Sequence, residues 1–278
     1  MTSPSERRIG LALGGGGARG LAHLHVLEAF DELGVRPAAI AGASIGALMG
    51  ACYAAGLSGR DLREHTLAQL SNRGQTLAKV MKARVGRISD LFGTGSLNPM
   101  LLDAEALIPQ FLPPGVPERF EDLAIPFQAI ATDFFGRAEV VLRDGPLLPA
   151  IAASAAIPGL FKPVLHRGRT LIDGAMTNPL PFDALKGVDA VIAVDVTGGP
   201  VMSGPTPPNA FVCMLGAIQI MQSTIVAGKV AQGGPDVLIR PKVDRITLLD
   251  FLKVASALRL SADTKDEAKR AIERLLSG

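Results

Sequence analysis

One serine of the chain stands in a turn of the kind that activates a nucleophile. Gly42-Ala43-Ser44-Ile45-Gly46 has the spacing Gly-x-Ser-x-Gly. Glycines on both sides remove the Cβ clashes of a tight turn, so the serine hydroxyl projects from it. A helix beginning at Ile45 would point its positive end at the serine oxygen and favour developing negative charge. Taken alone, the pentapeptide fits a closely packed structural turn equally well.

A glycine-rich segment at 14–20 offers backbone N–H groups to an anion. Its spacing through Gly15, Gly17 and Gly20 matches a dinucleotide-binding loop, but the next strand ends in Gly42-Ala43-Ser44 and not in an acidic residue. No Lys-Ser or Lys-Thr follows, which excludes a Walker loop. Successive glycine N–H groups at a helix N-terminus also form an oxyanion hole for a tetrahedral intermediate. A nucleotide site, an oxyanion hole and a structural turn are the three alternatives.

A serine nucleophile needs a base. Asp173, in Leu171-Ile172-Asp173-Gly174-Ala175, ends a predicted strand and is either that base or part of an ordinary Asp-Gly turn. No histidine follows His166, so the order Ser, acid, His of the α/β-hydrolases is not met, although His166 with an earlier acid stays open. An aspartate base is the economical alternative. Because a carboxylate is a weak base in water, we expect the site to desolvate Asp173 and raise its pKa.

Strands and helices alternate around these motifs, which predicts a parallel α/β sheet with right-handed crossovers. On the first helix we expect His23 and His25 on opposite sides, one at the solvent and one in the core. The predicted strands are 9–13, 38–42, 127–132, 138–142, a hairpin of 163–166 with 170–172, 189–196 and 236–240, and the predicted helices are 18–33, 45–55, 147–156 and 255–276.

Residues 58–125 have mainly helical patterns, interrupted by Gly93-Thr94-Gly95 and several prolines, and predict a helical cap or insert. Between Arg60 and Asp90, seven Lys/Arg stand against three Asp/Glu. This basic face is either solvated or touches an anionic membrane. A later apolar series is either core or one wall of an acyl-chain groove. Its members are Phe211, Val212, Met214, Leu215, Ile218, Met221 and Ile225.

The composition is apolar, with 48% hydrophobic residues and a mean hydropathy of +0.31. The net charge of +2, without a Lys/Arg block, argues against a nucleic-acid partner. Cys52 and Cys213 are expected to be buried thiols in a reducing compartment. Two uncharged stretches, 37–59 and 196–228, are long enough to span a membrane, but the glycine turn and the prolines within them argue against spans. No signal peptide is visible, and we expect a cytoplasmic protein with peripheral membrane contact.

Together, these motifs resemble those of the patatin-like phospholipases. The glycine loop Gly15-Gly16-Gly17-Ala18-Arg19-Gly20 is followed at short spacing by the Ser44 turn. Residues 153–163, Ala-Ser-Ala-Ala-Ile-Pro-Gly-Leu-Phe-Lys-Pro, are similar to the family's Ala-Ser-x-Ala-x-Pro-x-x-Phe-x-Pro segment. Asp173-Gly174-Ala175, with Asn178-Pro179 after it, resembles the Asp-Gly-Ala/Gly box. The resemblance covers most of the chain and weakens over 58–125 and after about residue 200.

The resemblance implies a single domain over 1–278, with a three-layer α/β/α fold, a mainly parallel central sheet and a helical insert. It implies that Ser44 attacks the acyl ester of a phospholipid, lysophospholipid or neutral glyceride, with Asp173 as general base. The N–H groups of Gly15, Gly16 and Gly17, with that of Ile45, would hold the oxyanion. Neither metal nor cofactor is implied. The alternative is a catalytically weak lipid-binding or regulatory protein on the same fold.

Overall fold

A computed structural model of the protein describes residues 7–84, 102–201 and 207–277. Within these ranges the strands are β1 (Ile9–Leu13), β2 (Ala39–Ala43), β3 (Phe127–Asp133), β4 (Ala138–Leu142), β5 (Val164–His166), β6 (Arg169–Asp173), β7 (Ala190–Val194) and β8 (Val237–Ile239). The α-helices are α1 (His23–Glu32), α2 (Ile45–Ala54), α3 (Gly59–Ser71), α4 (Arg73–Lys82), α5 (Ala104–Leu107), α6 (Leu147–Ser154), α7 (Ala210–Gly233), α8 (Val254–Leu260) and α9 (Thr264–Ser277).

The eight strands form one sheet in the order β5-β6-β3-β2-β1-β7-β8, with β4 also paired to β3. β3, β2, β1, β7 and β8 are parallel, while β4, β5 and β6 add antiparallel pairings at one end. The central strands are buried on both sides, as strands covered by crossover helices usually are. The predicted mixed α/β class with a mainly parallel sheet is confirmed.

Apolar side chains pack on both faces of the sheet. On β1, Leu11 and Leu13 join a large cluster with α1 and α2, whereas Ala12 faces the other way, toward Phe182 and toward Val226 of α7. This alternation follows from the period of two along a strand. The sheet is therefore the middle layer between two helical layers.

Two strands meet end to end along one edge of β3. β4 pairs with Ala129 to Asp133 and so occupies the opposite edge. On the edge of β3 that β4 does not occupy, β2 runs parallel to β3 and ends with Ala43 beside Ile130. On the same edge, β6 runs antiparallel to β3 and ends with Asp173 beside Ala131. The carboxyl ends of β2 and β6 therefore point at each other, and the residues that follow them are brought together.

Between residues 58 and 125, the described residues form the helices α3, α4 and α5, and the assignment of this segment as a cap or insert stays a prediction. α3 begins with a capping box, in which Ser58 and Asp61 exchange hydrogen bonds. Gly93-Thr94-Gly95 lies outside the described residues.

Two helix predictions need correction. The first helix starts with a 3₁₀ turn, Gly17–Ala22, because the glycine loop continues into it, and α1 proper begins at His23. The predicted C-terminal helix is divided into α8 and α9. The Ser261 hydroxyl donates to the Ala257 carbonyl at the break, in a Ser-Ala-Asp-Thr stretch whose side chains compete for backbone groups.

The two cysteines are both free thiols, Cys52 buried and Cys213 exposed. The expectation of a buried Cys213 was wrong because the first half of α7, which carries it, lies at the surface. The expectation for the α1 histidines was also wrong, since His23 and His25 are both buried.

Candidate active site

Ser44 occupies a strained turn between β2 and α2. Its backbone has φ 54° and ψ −122°, a left-handed conformation that is unusual for a residue with a side chain. The flanking glycines are required sterically, since a Cβ on Gly46 would lie 2.1 Å from the Leu13 carbonyl oxygen and one on Gly42 would lie 2.4 Å from that of Gly46. The sequence motif therefore forms the predicted turn.

The backbone around Ser44 is held by two elements. Its carbonyl accepts hydrogen bonds from the N–H groups of Ala47 (2.9 Å) and Leu48 (3.2 Å) in the first turn of α2. Its own N–H donates to Ser154 Oγ, at the end of α6, over 3.0 Å. Ser154 is fully buried, so this bond is shielded from water and ties the turn to α6.

Asp173 accepts a hydrogen bond from the Ser44 hydroxyl. The distance from Ser44 Oγ to Asp173 Oδ2 is 2.6 Å, and the other carboxylate oxygen accepts from the N–H of Ala175 over 2.8 Å. Both residues are almost completely buried. The predicted nucleophile and base are thus brought together, with the carboxylate fixed by one bond on each oxygen.

The main chain of Asp173 is anchored to its neighbours. Its N–H donates to the Ala156 carbonyl over 3.0 Å, and its carbonyl accepts from the Thr132 hydroxyl on β3 over 3.0 Å. A Cβ on Gly174 would lie 2.0 Å from the Ile130 carbonyl oxygen, so the turn after Asp173 can pass β3 only with glycine there.

Burial raises the pKa of Asp173 to about 7, against an ordinary value of 3.8. The hydrogen bonds from Ser44 and Ala175 act in the opposite direction, because they stabilise the carboxylate. A pKa near 7 suits a group that must accept and return a proton at neutral pH.

The glycine loop borders Ser44. A Cβ on Gly15 would lie 2.9 Å from Ala175 Cβ and 3.3 Å from Ser44 Cβ, so glycine is needed for the close approach. The N–H of Gly15 already donates to the Pro179 carbonyl over 2.9 Å. Within the described ranges, the N–H groups of Gly16, Gly17 and Ile45 donate to no protein acceptor.

Two buried side chains hold the glycine loop in place. His23 Nε2 donates to the Gly14 carbonyl over 2.9 Å, and burial lowers the pKa of His23 to about 4, so the ring is neutral at pH 7. The Arg19 guanidinium donates to the carbonyls of Ile246 (2.7 Å), Thr197 (2.9 Å) and Gly199 (2.7 Å). Arg19 thereby joins the loop to the segments after β7 and β8.

Ser44 lies between two cavities. The larger has a volume of about 400 Å³ and is enclosed mainly by α2, α3, α4 and the segment before β5. Its walls are predominantly apolar, and include Leu48, Met49, Leu70, Val80, Leu107 and Phe161. The smaller, of about 10 Å³, is lined by Asp173 as well as Ser44, and by Leu215, Ile218 and Gln222 of α7.

The apolar series on α7 satisfies neither prediction as a whole. Phe211, Val212 and Met221 are exposed and are not core. Only Leu215 and Ile218 line a cavity beside Ser44, and the large cavity is walled by the insert and α2 instead. The helical spacing of apolar residues predicts an apolar helix, but it does not show whether the core, a cavity or solvent lies against each residue.

None of the four histidines, all of which the structure describes, forms a hydrogen bond with Ser44 or Asp173. His166 is buried on β5 with its Nε2 unpaired. His65 does line the large cavity, but its Nε2 donates to the Phe111 carbonyl. Within the described ranges, no group of three or more His, Cys, Asp or Glu residues is arranged to hold a metal ion.

Sequence reasoning missed two supporting residues, Ser154 and Thr132. Ser154 lies in the segment that resembles the family pattern, but its contact with the N–H of Ser44 joins positions 110 residues apart. Thr132 lies on an ordinary buried strand. No local pattern marks either residue, because their roles depend on which strands and helices become neighbours.

A family model described as patatin-like phospholipase matches residues 11–186. An uncharacterized NTE family protein of Mycobacterium tuberculosis is 34% identical over 209 residues, which cover 72% of this chain and 52% of that protein. Patatin-like phospholipase domain-containing protein 7 of Rattus norvegicus is 34% identical over 203 residues, 68% of this chain and 13% of that protein.

The chain therefore spans about half the length of the mycobacterial relatives it matches. Among solved structures, VipD from Legionella pneumophila aligns with a TM-score of 0.52 at 14% identity, over 97% of this chain and 68% of that one, which supports the fold. The match of the family model, over more than half of the residues, includes the glycine loop, the Ser44 turn and Asp173. The chain belongs to the patatin-like phospholipase family.

Proposed function

We propose that the protein is a serine hydrolase of lipid acyl esters, of phospholipase A or lysophospholipase type. The observation that carries this proposal is the 2.6 Å hydrogen bond from Ser44 to Asp173, in a buried turn that opens into an apolar cavity. A hydroxyl paired with a base is the arrangement of an activated nucleophile. The cavity supplies the space that an acyl chain needs.

In acylation, Ser44 Oγ attacks the ester carbonyl carbon while its proton passes to Asp173 Oδ2. The carbonyl oxygen becomes an oxyanion in the tetrahedral intermediate. When this intermediate collapses, the bond to the alcohol oxygen breaks, and Asp173 returns the proton to that oxygen. The acyl group remains esterified to Ser44.

The oxyanion is stabilised by backbone N–H groups. Those of Gly16, Gly17 and Ile45 have no protein acceptor among the described residues, and Gly17 and Ile45 line the large cavity together with Ser44. Gly15 supports the same loop through its bond to Pro179. Preorganised donors of this kind are effective because they need no reorientation as charge develops.

Deacylation reverses these roles with water as the nucleophile. Asp173 takes a proton from water, the resulting hydroxide attacks the acyl carbon, and the proton returns to Ser44 Oγ as the fatty acid leaves. With a pKa near 7, Asp173 is deprotonated in a substantial fraction of molecules at neutral pH and is basic enough to accept the proton.

We also propose that the protein works in the cytoplasm, in peripheral contact with membranes. Both cysteines are free, which suits a reducing compartment. An ester with long acyl chains is concentrated in membranes, so an enzyme that hydrolyses it must reach their surface.

Hydrolysis of a soluble short-chain ester and of a lysophospholipid tests the proposal, with the variants Asp173→Asn and His166→Ala. We expect Asp173→Asn to lower kcat about a thousandfold or more with an unchanged circular dichroism spectrum, because the base is lost. His166→Ala should keep most of the rate. Loss of activity in His166→Ala alone would move the base role to the histidine, and an inactive wild type would favour a lipid-binding protein.

A further inference from the structure

α7 buries two amide side chains and exposes several large apolar side chains, which is unusual for a surface helix. Gln219 and Gln222 are among its few buried residues. Leu215 and Val226 are buried as well, but other large apolar side chains of the helix are exposed, with exposed fractions of 42% for Phe211, 55% for Ile220 and 56% for Met221. An apolar face of this kind is characteristic of a surface that binds a partner or a membrane.

Charge is absent from this part of the chain. No Asp, Glu, Lys or Arg occurs between Asp195 and Lys229. By length and composition, α7 is also the one described helix that could cross a membrane. It is nevertheless tied to the domain, because Lys229 donates to Asn178 Oδ1 and Asp183 Oδ1, each over 2.5 Å. Because these bonds hold α7 against the domain, they favour a helix that lies on the membrane surface over a helix that crosses the membrane.

The inner side of α7 borders the active site. Leu215, Ile218 and Gln222, on the inner side of the helix, line the small cavity beside Ser44 and Asp173. Next to α7, Leu248 lines the same small cavity, and Leu249, which is 42% exposed, lines the large one. α7 therefore has apolar residues both at the cavity beside Ser44 and at the exposed surface.

We propose that the exposed apolar surface of α7, formed by Phe211 and Val212 in its first turn and by Ile220 and Met221 further along the helix, docks on the surface of a lipid bilayer and is here called the lipid-docking face. The proposal rests on the proposed function, because a lipid substrate has to move from its bilayer into the cavities. An uncharged apolar helix face fits the boundary between headgroups and acyl chains, where it loses contact with water.

Three basic residues of the insert already have protein partners. Arg63 forms an ion pair with Glu28, Arg60 with Glu64, and Lys79 donates to the Gln69 side chain and to the Gln110 carbonyl. Because the lipid-docking face carries no charged residue, docking through it should depend little on anionic lipid or on salt.

The test is cosedimentation with neutral phosphatidylcholine vesicles at low and high salt, using the triple variant Phe211→Gln, Ile220→Gln, Met221→Gln. The control is Phe134→Gln, Phe135→Gln, which removes two exposed aromatic rings from the β3–β4 turn. We expect the triple variant to lose vesicle binding and vesicle-lipid hydrolysis at least tenfold at either salt concentration. Its rate on a soluble short-chain ester should stay within twofold, and the control should match wild type in every assay.

Unchanged vesicle binding by the triple variant, or equal loss in the control, would overturn the lipid-docking face. Binding that requires anionic lipid and disappears at high salt would favour the basic residues instead. A wild-type dimer that the triple variant converts to a monomer would identify a second copy of the chain as the occupant. Failure of the proposed function is separate, because it appears as a wild type that does not hydrolyse the soluble ester.

A second, independent observation concerns the inner side of α7. Gln222 is 94% buried, lines the small cavity with Asp173, and its amide forms no hydrogen bond within the described residues. The amide atoms themselves are not among the buried side-chain atoms without a partner, so they are accessible to a water-sized group. Gln219, three residues earlier on α7, is also buried but does not line this cavity.

We infer that Gln222 binds the oxygen atom that exchanges a proton with Asp173, which is the alcohol oxygen in acylation and the water oxygen in deacylation. Asp173 lines the small cavity and not the large one, so the proton transfer and the leaving alcohol belong on this side of Ser44. The volume of about 10 Å³ is about the smallest that can hold one water.

Gln222→Leu and Gln219→Leu form a matched pair for this inference. We expect Gln222→Leu to lower kcat about tenfold on a soluble ester with little change in KM, and to change how the acyl-enzyme partitions between water and added methanol. Gln219→Leu should leave the kcat and the partition ratio as in wild type. Equal effects of the two substitutions would show a structural role of α7, and an unchanged partition ratio in Gln222→Leu would overturn the inference.

Discussion

Ser44 Oγ donates a 2.6 Å hydrogen bond to Asp173 Oδ2, although the two residues are 129 positions apart in the sequence. The contact follows from the sheet, because β2 and β6 end against each other on the same edge of β3. The backbone pairing of three strands thus brings the proposed nucleophile and base together. Its geometry should tolerate changes in the helical insert better than changes in β3.

The pKa of Asp173 predicts the pH dependence of catalysis. A general base must be deprotonated in the free enzyme, so kcat/KM for a soluble ester should rise with pH, with a midpoint near 7, and level off above it. Burial keeps the pKa of His23 at about 4, so that residue does not titrate in this range. The measurement is a pH–rate profile of wild type and His166→Ala. Loss of the rise in His166→Ala would assign the titration to the histidine.

The same burial predicts a stability effect with the opposite pH dependence. Because the folded-state pKa of Asp173, about 7, exceeds its ordinary value of 3.8, the folded protein binds this proton more tightly than the unfolded chain. The associated stability is fully present below pH about 4 and is lost as pH rises through about 7. Asparagine does not ionise, so Asp173→Asn does not lose this stability as the pH rises. The free energy of unfolding of the variant should therefore exceed that of wild type at pH 8, and the difference should be smaller at pH 5. Urea unfolding at both pH values measures this, and a variant that is less stable at pH 8 would contradict the assigned burial.

Ser154→Ala tests the support of the nucleophile turn. The substitution leaves the buried N–H of Ser44 without its acceptor, which should cost about 1–3 kcal/mol of unfolding free energy. The rate on a soluble ester should also fall, because the turn loses its contact with α6. Ser71→Ala, at an exposed helix position, is the control and should stay within about 0.5 kcal/mol of wild type. Equal stabilities of the two variants would show that the bond does not hold the turn.

Val80→Phe tests whether the large cavity binds the acyl chain. Val80 lines the cavity from α4, and the larger ring should shorten the space for the chain, lowering kcat/KM for long-chain esters about tenfold relative to a butyryl ester. Leu77→Phe, on the same helix, is the control, since Leu77 is 62% exposed and does not line the cavity. A proportional loss for both ester lengths in Val80→Phe would instead indicate a folding defect.

The sequence was sufficient for those features that depend on neighbouring residues. The glycines around Ser44 and after Asp173 predict tight turns that leave no room for a side chain. In the structure, a Cβ added at Gly46 or at Gly174 would clash with a backbone carbonyl oxygen. Alternating strand and helix patterns were also sufficient for the α/β class. The pairing of Ser44 with Asp173 was inferred by eliminating the histidines and from the family resemblance.

Features that depend on tertiary contacts could not be predicted. The apolar residues of α7 have the same spacing whether they face the core or the solvent. Nothing in the sequence therefore indicated that Phe211 and Cys213 are exposed. His25 is buried because Arg63 and the Leu258 carbonyl surround it, and both come from elements distant in sequence. The break between α8 and α9 could not be predicted either, because Ser261 is compatible with a helix interior as well as with a turn.

The most direct test of the central claim is covalent labelling with a fluorophosphonate, followed by identification of the modified peptide by mass spectrometry. A serine activated by an adjacent base should react at its Oγ, and the account predicts a single adduct on Ser44 in wild type. Ser44→Ala should show no adduct, and Asp173→Asn should be labelled much more slowly although its fold is intact. An adduct on another residue, or labelling of Ser44→Ala at the wild-type rate, would contradict the assignment of Ser44 as the nucleophile.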